Sequence, residues 1–442
     1  MTTSTPSTAK NRGVIRPTLG QARFAFVVLL IINILNYADR SILSAIAPKL
    51  QADLHLTNTD LGLLASSFLF IYAIATLPIG IWADRGIRKN IVALCVGLWS
   101  IATALGGLTH TFIHLFLTRS VLGIGEAGYA PASQSLIGDY FPKSQRARVL
   151  SYWSVGTLIG TALGLVCGGL IAEHFGWRWA FFVVGIPGLL TALLIWRSVE
   201  PSRGAFDNDE EGGKDIVAGH GGVGKDILTV IKRIAKIPTY WILLVAFIFS
   251  FFTIGSAQFW IPTYFVRAFN LTVGQAASIS GGVLAGGSLI GTLLGGWLAD
   301  LLQKRRPQGR LIVATFALIV GSPLTLLALS IHEMTPFIIV FILAIVCLSL
   351  CLGPLNAAIQ DIIAPEMRST AIGVVLLLAH LLGDAASPSI VGAIADRTSL
   401  GFALIITAPI CLLIAGLICL AGLRTVARDM KAMQDQLNQQ HA

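Results

Sequence analysis

Apolar runs of roughly twenty residues recur from one end of this 442-residue chain to the other. That is the length a helix needs to cross the hydrocarbon of a bilayer. Only 12% of the residues are charged, against about 25% in a soluble domain, so water is not the main solvent of this chain. The fold class that follows is an all-α, multi-pass membrane protein. Twelve candidate spans lie near 24–48, 60–82, 90–109, 112–139, 149–171, 178–197, 240–266, 275–299, 311–331, 336–361, 369–394 and 400–423.

The net charge of +9 raises the question of nucleic acid, and its placement answers it. With the N-terminus inside, the tails and inward loops hold 25 of the 31 Lys and Arg residues. Outward loops hold only Lys49, Arg178, Arg267 and Arg397, and Arg40 and Arg119 lie within spans. An asymmetry of that size fixes orientation with both termini cytoplasmic. The expected setting is a cell membrane, a bacterial inner membrane, with the lipid bilayer and no nucleic acid as partner. The first twenty residues are rich in Ser, Thr and Arg without acids, a composition shared with organellar transit peptides. A short basic cytosolic tail is the preferred reading, and the run after Ala22 is too long for a signal-peptide core. The six cysteines all lie within spans and read as small buried hydrophobes rather than a disulfide or metal set.

Two stretches break the apolar pattern. One is Asn36-Tyr37-Ala38-Asp39-Arg40, late in the first span; the other is Arg119-Ser-Val-Leu-Gly123-Ile-Gly125-Glu126 in the fourth. A charged side chain at membrane depth is costly and marks a functional site by default. Asn33, Asn36 or Tyr37, Arg40 and Ser44 recur at helical spacing, so one face of the first span is polar, and Pro48 is expected to end that span. Gly156, Gly160, Gly164 and Gly168 step along the fifth span at i, i+4, a groove for tight helix crossing or a pivot. His380 and Asp384 lie one turn apart in the eleventh span and can pair, and Pro388 should bend that helix.

The chain also repeats. Gly80-Ile-Trp-Ala-Asp84-Arg85 with Arg88-Lys89 is echoed by Gly296-Trp-Leu-Ala-Asp300 with Lys304-Arg305, at an offset of 216. Asp139…Arg146 is echoed by Asp361…Arg368. Two parallel six-span repeats imply a pseudo-two-fold axis along the membrane normal and a site between the halves near midplane. The expected organisation is a tail over 1–22, a bundle over 23–197, a cytoplasmic linker over 198–238, a bundle over 239–424 and a tail over 425–442. Residues Asp207 to Gly224 read as a flexible linker. The run Gly219 to Lys225 lacks the spacing of a phosphate loop.

The repeated G-x-x-x-D-R-x-x-R-K loop, the twelve spans and the central linker resemble the major facilitator superfamily, with Ile87 in place of a usual second glycine. Within it, Asn36-Tyr37-x-Asp39-Arg40, Gly125-Glu126-Ala127 and His380-Leu-Leu-Gly-Asp384-x-x-Ser387-Pro388 resemble the Spinster-like transporters, a family associated with lysophospholipids and sphingosine phosphates. Pro131, five residues after Glu126 rather than eight, and Phe141-Pro142-Lys143 resemble instead the anion:cation symporters of sugar acids and other organic acids.

A rise of about 1.5 Å per residue puts Asp39, Glu126 and Asp384 at about 20–23 Å from the inner ends of their spans, and Arg119 at about 30 Å. Asp39, Glu126, Arg40 and Arg119 are therefore the expected proton-coupling group. Asn36, Tyr37, Arg40, Arg119, Gln258, His380 and Asp384 are the expected substrate contacts. Asp84, Arg85, Arg88, Lys89, Asp139, Arg146, Asp300 and Lys304 are the expected gating set, with Asp84 and Asp300 as inner latches and Arg88 and Lys89 among the inner headgroups. The function so read is a monomeric secondary transporter working by alternating access, proton-coupled, for a lysophospholipid- or sphingolipid-like amphiphile or, alternatively, a small organic anion. No metal or cofactor is implied, and no nucleophile–base pair supports an enzyme.

Overall fold

The computed structural model describes residues 15–206 and 232–441, apart from the side chains of Leu77, Asp84, Ser369 and residues 439–441. The linker call over 207–224 and the phosphate-loop run therefore lie outside the described residues. Among those described there is no strand.

The first bundle is α1 (Leu19–Leu54), α2 (Asn58–Arg85), α3 (Arg88–Gly106), α4 (Phe112–Ala127), α5 (Tyr129–Tyr140), α6 (Lys143–His174) and α7 (Trp177–Trp196). The second is α8 (Pro238–Phe269), α9 (Val273–Gln303), α10 (Gly309–Ser330), α11 (Met334–Leu350), α12 (Leu352–Ile362), α13 (Arg368–Ala379), α14 (Ser387–Arg397) and α15 (Leu400–Gly422), followed by α16 (Val426–His441). Eleven of the described segments are long and apolar enough to cross a membrane by themselves. The twelfth, the fourth span, is divided at Gly128 into α4 and α5. The first span does not end at Pro48: α1 carries that proline inside it and runs on to Leu54. Large apolar side chains such as Ile74, Leu293 and Phe316 stand on the outside of the bundles, as lipid rather than water demands.

The internal repeat is visible in the details of helix ends. The first helix of each bundle closes on a residue in the left-handed region, His55 (φ 51°) and Asn270 (φ 52°). Two residues later Thr57 and Thr272 each cap the next helix, with Asp60 and Gln275 completing the capping box. The fourth and tenth spans both break, at Gly128 and at Cys351.

Call the end of the molecule that carries the segments before α1 and after α15 the termini face. Among the described residues, the side-chain hydrogen bonds that join the bundles through Ser44, Arg267, Asp396 and Glu173 lie away from it. Asp396 of α14 accepts from the backbone N–H groups of Asn58 and Thr59 at the start of α2, each at 2.8 Å. In the mirrored contact, Glu173 of α6 accepts from the Gly274 N–H at the start of α9, at 2.8 Å. Each bundle thus supplies the carboxylate that satisfies orphan donors at a helix start of the other. Arg267 adds bonds to Gln51 and Asn58, and Ser44 donates to the Gln258 and Phe259 carbonyls.

The glycine stripe of α6 packs inside its own bundle, against α1. A Cβ on Gly160 would lie 2.4 Å from the Ile34 carbonyl, and one on Gly164 2.4 Å from the Ala38 carbonyl. The adjoining face of α6 meets the other bundle, where a Cβ on Gly169 would lie 2.4 Å from the Ala277 methyl.

Candidate functional site

The four charges of the first and fourth spans meet as two ion pairs. Arg40 Nε donates to Glu126 Oε2 at 2.7 Å. Arg119 Nη1 reaches Asp39 Oδ1 at 3.5 Å, and the Thr103 hydroxyl of α3 donates to Asp39 Oδ2. Asp39 and Glu126 are wholly buried, Arg119 nearly so, while the Arg40 side chain keeps 23% of its surface. The set is neutral when all four are ionised, which is how such groups are tolerated at low dielectric.

The arginines differ in what surrounds them. Arg40 sits among three rings, 5.1 Å from the centroids of Tyr37 and Phe68 and 4.7 Å from that of Tyr72, contacts that suit a delocalised cation. Arg119 lies over Phe181 at 5.0 Å, and its Nη2 has no hydrogen-bond partner among the described residues.

A cavity of about 470 Å³ lies between the bundles. Tyr37, Arg40 and Arg119 line one wall, and Gln258, His380 and Asp384 stand on the other. The rest of the wall is largely apolar, with Leu43, Phe68, Phe251, Leu284 and Leu348 among its side chains. Asn36 is buried in the first bundle behind that wall. His380 Nδ1 and Asp384 Oδ2 are 2.8 Å apart, the ring packs edge-on to Phe251, and Asp384 Oδ1 has no hydrogen-bond partner among the described residues. These two residues bound a single π-helical turn, His380–Asp384, and Pro388 opens α14 just beyond it. The eleventh span, Thr370–Arg397, thus carries a π-helical turn within it, and such turns commonly mark functional positions.

Near the termini face the gating candidates separate. Arg88 is buried rather than among headgroups: it bonds Asp139, Glu200 and the Pro201 carbonyl. Lys89 Nζ donates to the Trp196 and Ser198 carbonyls. Arg146 donates to the Phe141 carbonyl, and Arg85 is exposed. The side chain of Asp84 lies outside the described residues. Asp300 is largely exposed, 3.6 Å from Arg310, and Lys304 only follows the end of α9. The counterpart of Arg88 is Arg310, which bonds Asp361 at 2.5 Å, because the loop between α9 and α10 is longer than that between α2 and α3. Arg368 bonds the Ile363 carbonyl as Arg146 bonds Phe141. Thr103, Tyr72, Phe68 and Arg310 were absent from the sequence-based set, as were Asp396 and Glu173.

A family model described as Major Facilitator Superfamily matches residues 29–388. "Protein spinster homolog 1" of Xenopus tropicalis is 28% identical over 85% of this chain and 73% of its own length. An "MFS-type efflux pump" of Mycolicibacterium smegmatis is 28% identical over 84% of this chain and 83% of its own. The crystal structure of a bacterial homolog to the human lysosomal transporter Spinster, inward-facing and unoccupied, superposes with a TM-score of 0.80 at 24% identity, covering 95% of this chain and 99% of that one.

Proposed function

The chain belongs to the Major Facilitator Superfamily, and on that premise we propose that it is a proton-coupled, alternating-access transporter of a lysophospholipid- or sphingolipid-like amphiphile. The observation that carries this reading is the composition of the cavity. Arg40 presents part of its guanidinium inside an aromatic cage, while most of the facing wall is apolar. That pairing suits a ligand with an anionic head and a hydrocarbon body. The likeness to proteins named Spinster and to an efflux pump supports a transporter.

Coupling follows from charge balance. Protonating Asp39 or Glu126 leaves one positive charge in excess in a buried set, which favours an anion in the adjoining cavity. Losing that proton restores Arg40–Glu126 and Arg119–Asp39 and removes the attraction. Asp84 and Asp300 act as latches at the termini face. The 25-to-4 distribution of Lys and Arg makes that face cytoplasmic, so the present conformation, joined at the other face, is inward-open.

Uptake into proteoliposomes under an imposed pH gradient tests the reading, comparing lysophosphatidylcholine and sphingosine phosphate with a sugar acid. Accumulation of the lipids alone supports it; accumulation of only the sugar acid overturns the substrate class, and indifference to the gradient overturns coupling. Reporter fusions within residues 207–231 and after Ala442 that both read as extracytoplasmic would sink the orientation.

A further inference from the structure

Threonines inside helices usually satisfy their hydroxyl by donating to a carbonyl of their own preceding turn. Several span threonines here do so: Thr76, Thr161, Thr253, Thr315 and Thr407 each bond the carbonyl four residues back. Thr103 departs from that habit. Buried in α3, it turns its hydroxyl across the bundle to Asp39 of α1.

The second bundle provides an internal control. The offset of 222 that relates Arg88 to Arg310 and Asp139 to Asp361 relates Thr103 to Thr325. The first-helix counterpart of Asp39, at the offset of 215 to 216 seen in the other repeats, falls at Ile254 or Gly255, so the equivalent position carries no acid. Thr325 duly bonds the carbonyl of Gly321 in its own helix. The same residue type in the same place thus points at an acid where one exists and at its own backbone where none does.

We infer that Thr103 is a positioning residue for Asp39, holding the ionised carboxylate toward α3 and setting the pH at which it takes up a proton. The inference rests on the proton-coupling reading. A hydroxyl carries one donor and two acceptor sites. It donates to the carboxylate and, once Asp39 is protonated, can turn to accept from the acid while donating to its own helix. It follows both states of the acid without moving its backbone. The charged groups facing Asp39 are Arg119 and Glu126 from α4 and Arg40 from α1. Arg40 is engaged with Glu126, and the Arg119 contact is long, at 3.5 Å, so the Thr103 bond is the closest hold on this carboxylate.

The test follows the carboxylic-acid carbonyl stretch of Asp39 by infrared titration of the protein in lipid vesicles without substrate, in a Glu126→Gln background. Removing a donor to the ionised form favours the protonated one. Thr103→Val should therefore raise the midpoint by about one pH unit, a tenfold gain in proton affinity. Thr103→Ser should restore it, and Thr325→Val, the same change at the equivalent place, should leave it alone. An unshifted midpoint in Thr103→Val, or an equal shift in Thr325→Val, overturns the inference. Gradient-driven uptake of lysophosphatidylcholine that survives in full in the Asp39→Asn, Glu126→Gln double variant overturns instead the coupling reading, since the titration is measured without transport.

Discussion

The two bundles share a scaffold and divide the chemistry. At their ends facing the termini they match closely: Arg88 bonds Asp139 as Arg310 bonds Asp361, and Arg146 caps Phe141 as Arg368 caps Ile363. At midplane they part. Positions equivalent by the same offset to Arg119 and Glu126 are Phe341 and Leu348, so where one bundle buries two ion pairs the other buries hydrocarbon. Its own polar contribution is the His380–Asp384 couple at the π-helical turn of the eleventh span. Repetition persists where the helices must be held and is lost where the work is done. A ligand between the walls therefore meets charge on one side and mainly apolar surface on the other.

The sharpest way to break this contrast is to neutralise the charged side. Asp39→Asn with Glu126→Gln should reduce gradient-driven accumulation to that of empty vesicles while ligand exchange persists in part. Arg119→Ala should impair both, because stranding a buried acid costs about 3–5 kcal/mol, visible as a lower melting temperature. Full accumulation in the double variant would show the pairs to be packing alone. The matched ends come next. Arg88→Ala, removing a wholly buried guanidinium, should cost about 3 kcal/mol. Arg310→Ala, at a side chain with 26% exposure, should cost about 1 kcal/mol; thermal unfolding that ranks them the other way would contradict the burial argument.

Asp384→Asn probes the less charged wall. Proton-driven accumulation should continue, with apparent ligand affinity lowered about five- to tenfold, as expected for one lost polar contact. Abolished coupling there would move the proton site to the second bundle. The smallest effects belong to the crossed helix caps. Asp396→Asn and Glu173→Gln should each cost the joined face about 1 kcal/mol, a population shift of about fivefold. Ser66 is buried between the bundles against Ser389, and labelling of Ser66→Cys by an impermeant maleimide added from that side should rise in each; unchanged labelling in the combined variant argues against the caps as a closure.

Much of this site was legible as depth. Counting residues at a fixed rise set Asp39, Glu126 and Asp384 on one level; Asp384 lines the cavity, while Asp39 and Glu126 are buried against Arg119 and Arg40, which line it. Depth is a single coordinate, however, and it could not say which arginine takes which acid; that depends on how α1 and α4 are rotated about their axes. Arg310 was recoverable. The offset of 222 was already present between Asp139 and Asp361, but the offset of 216 before the longer loop pointed to Lys304. Thr103 carries no signal in a sequence, since its type and spacing are those of any packing threonine. Asp396 and Glu173 carry no sequence signal of their own, since their partners are helix starts of the other bundle. The π-helical turn is likewise invisible, because Pro388 announces a bend without saying that the ladder slips one residue ahead of it.

The glycines of α6 have a mechanical consequence. Their four-residue stride matches a rise of about 6 Å, so α1, seated with its Ile34 and Ala38 carbonyls in successive notches, resembles a bar on a toothed rack. It can reseat only by a whole tooth, and smaller displacements must carry α6 along. The next flank of that rack bears on α9 of the other bundle at Gly169 and Ala277. Any rocking of one bundle against the other is thereby delivered, with little slack, to the stretch of backbone that holds Asp39.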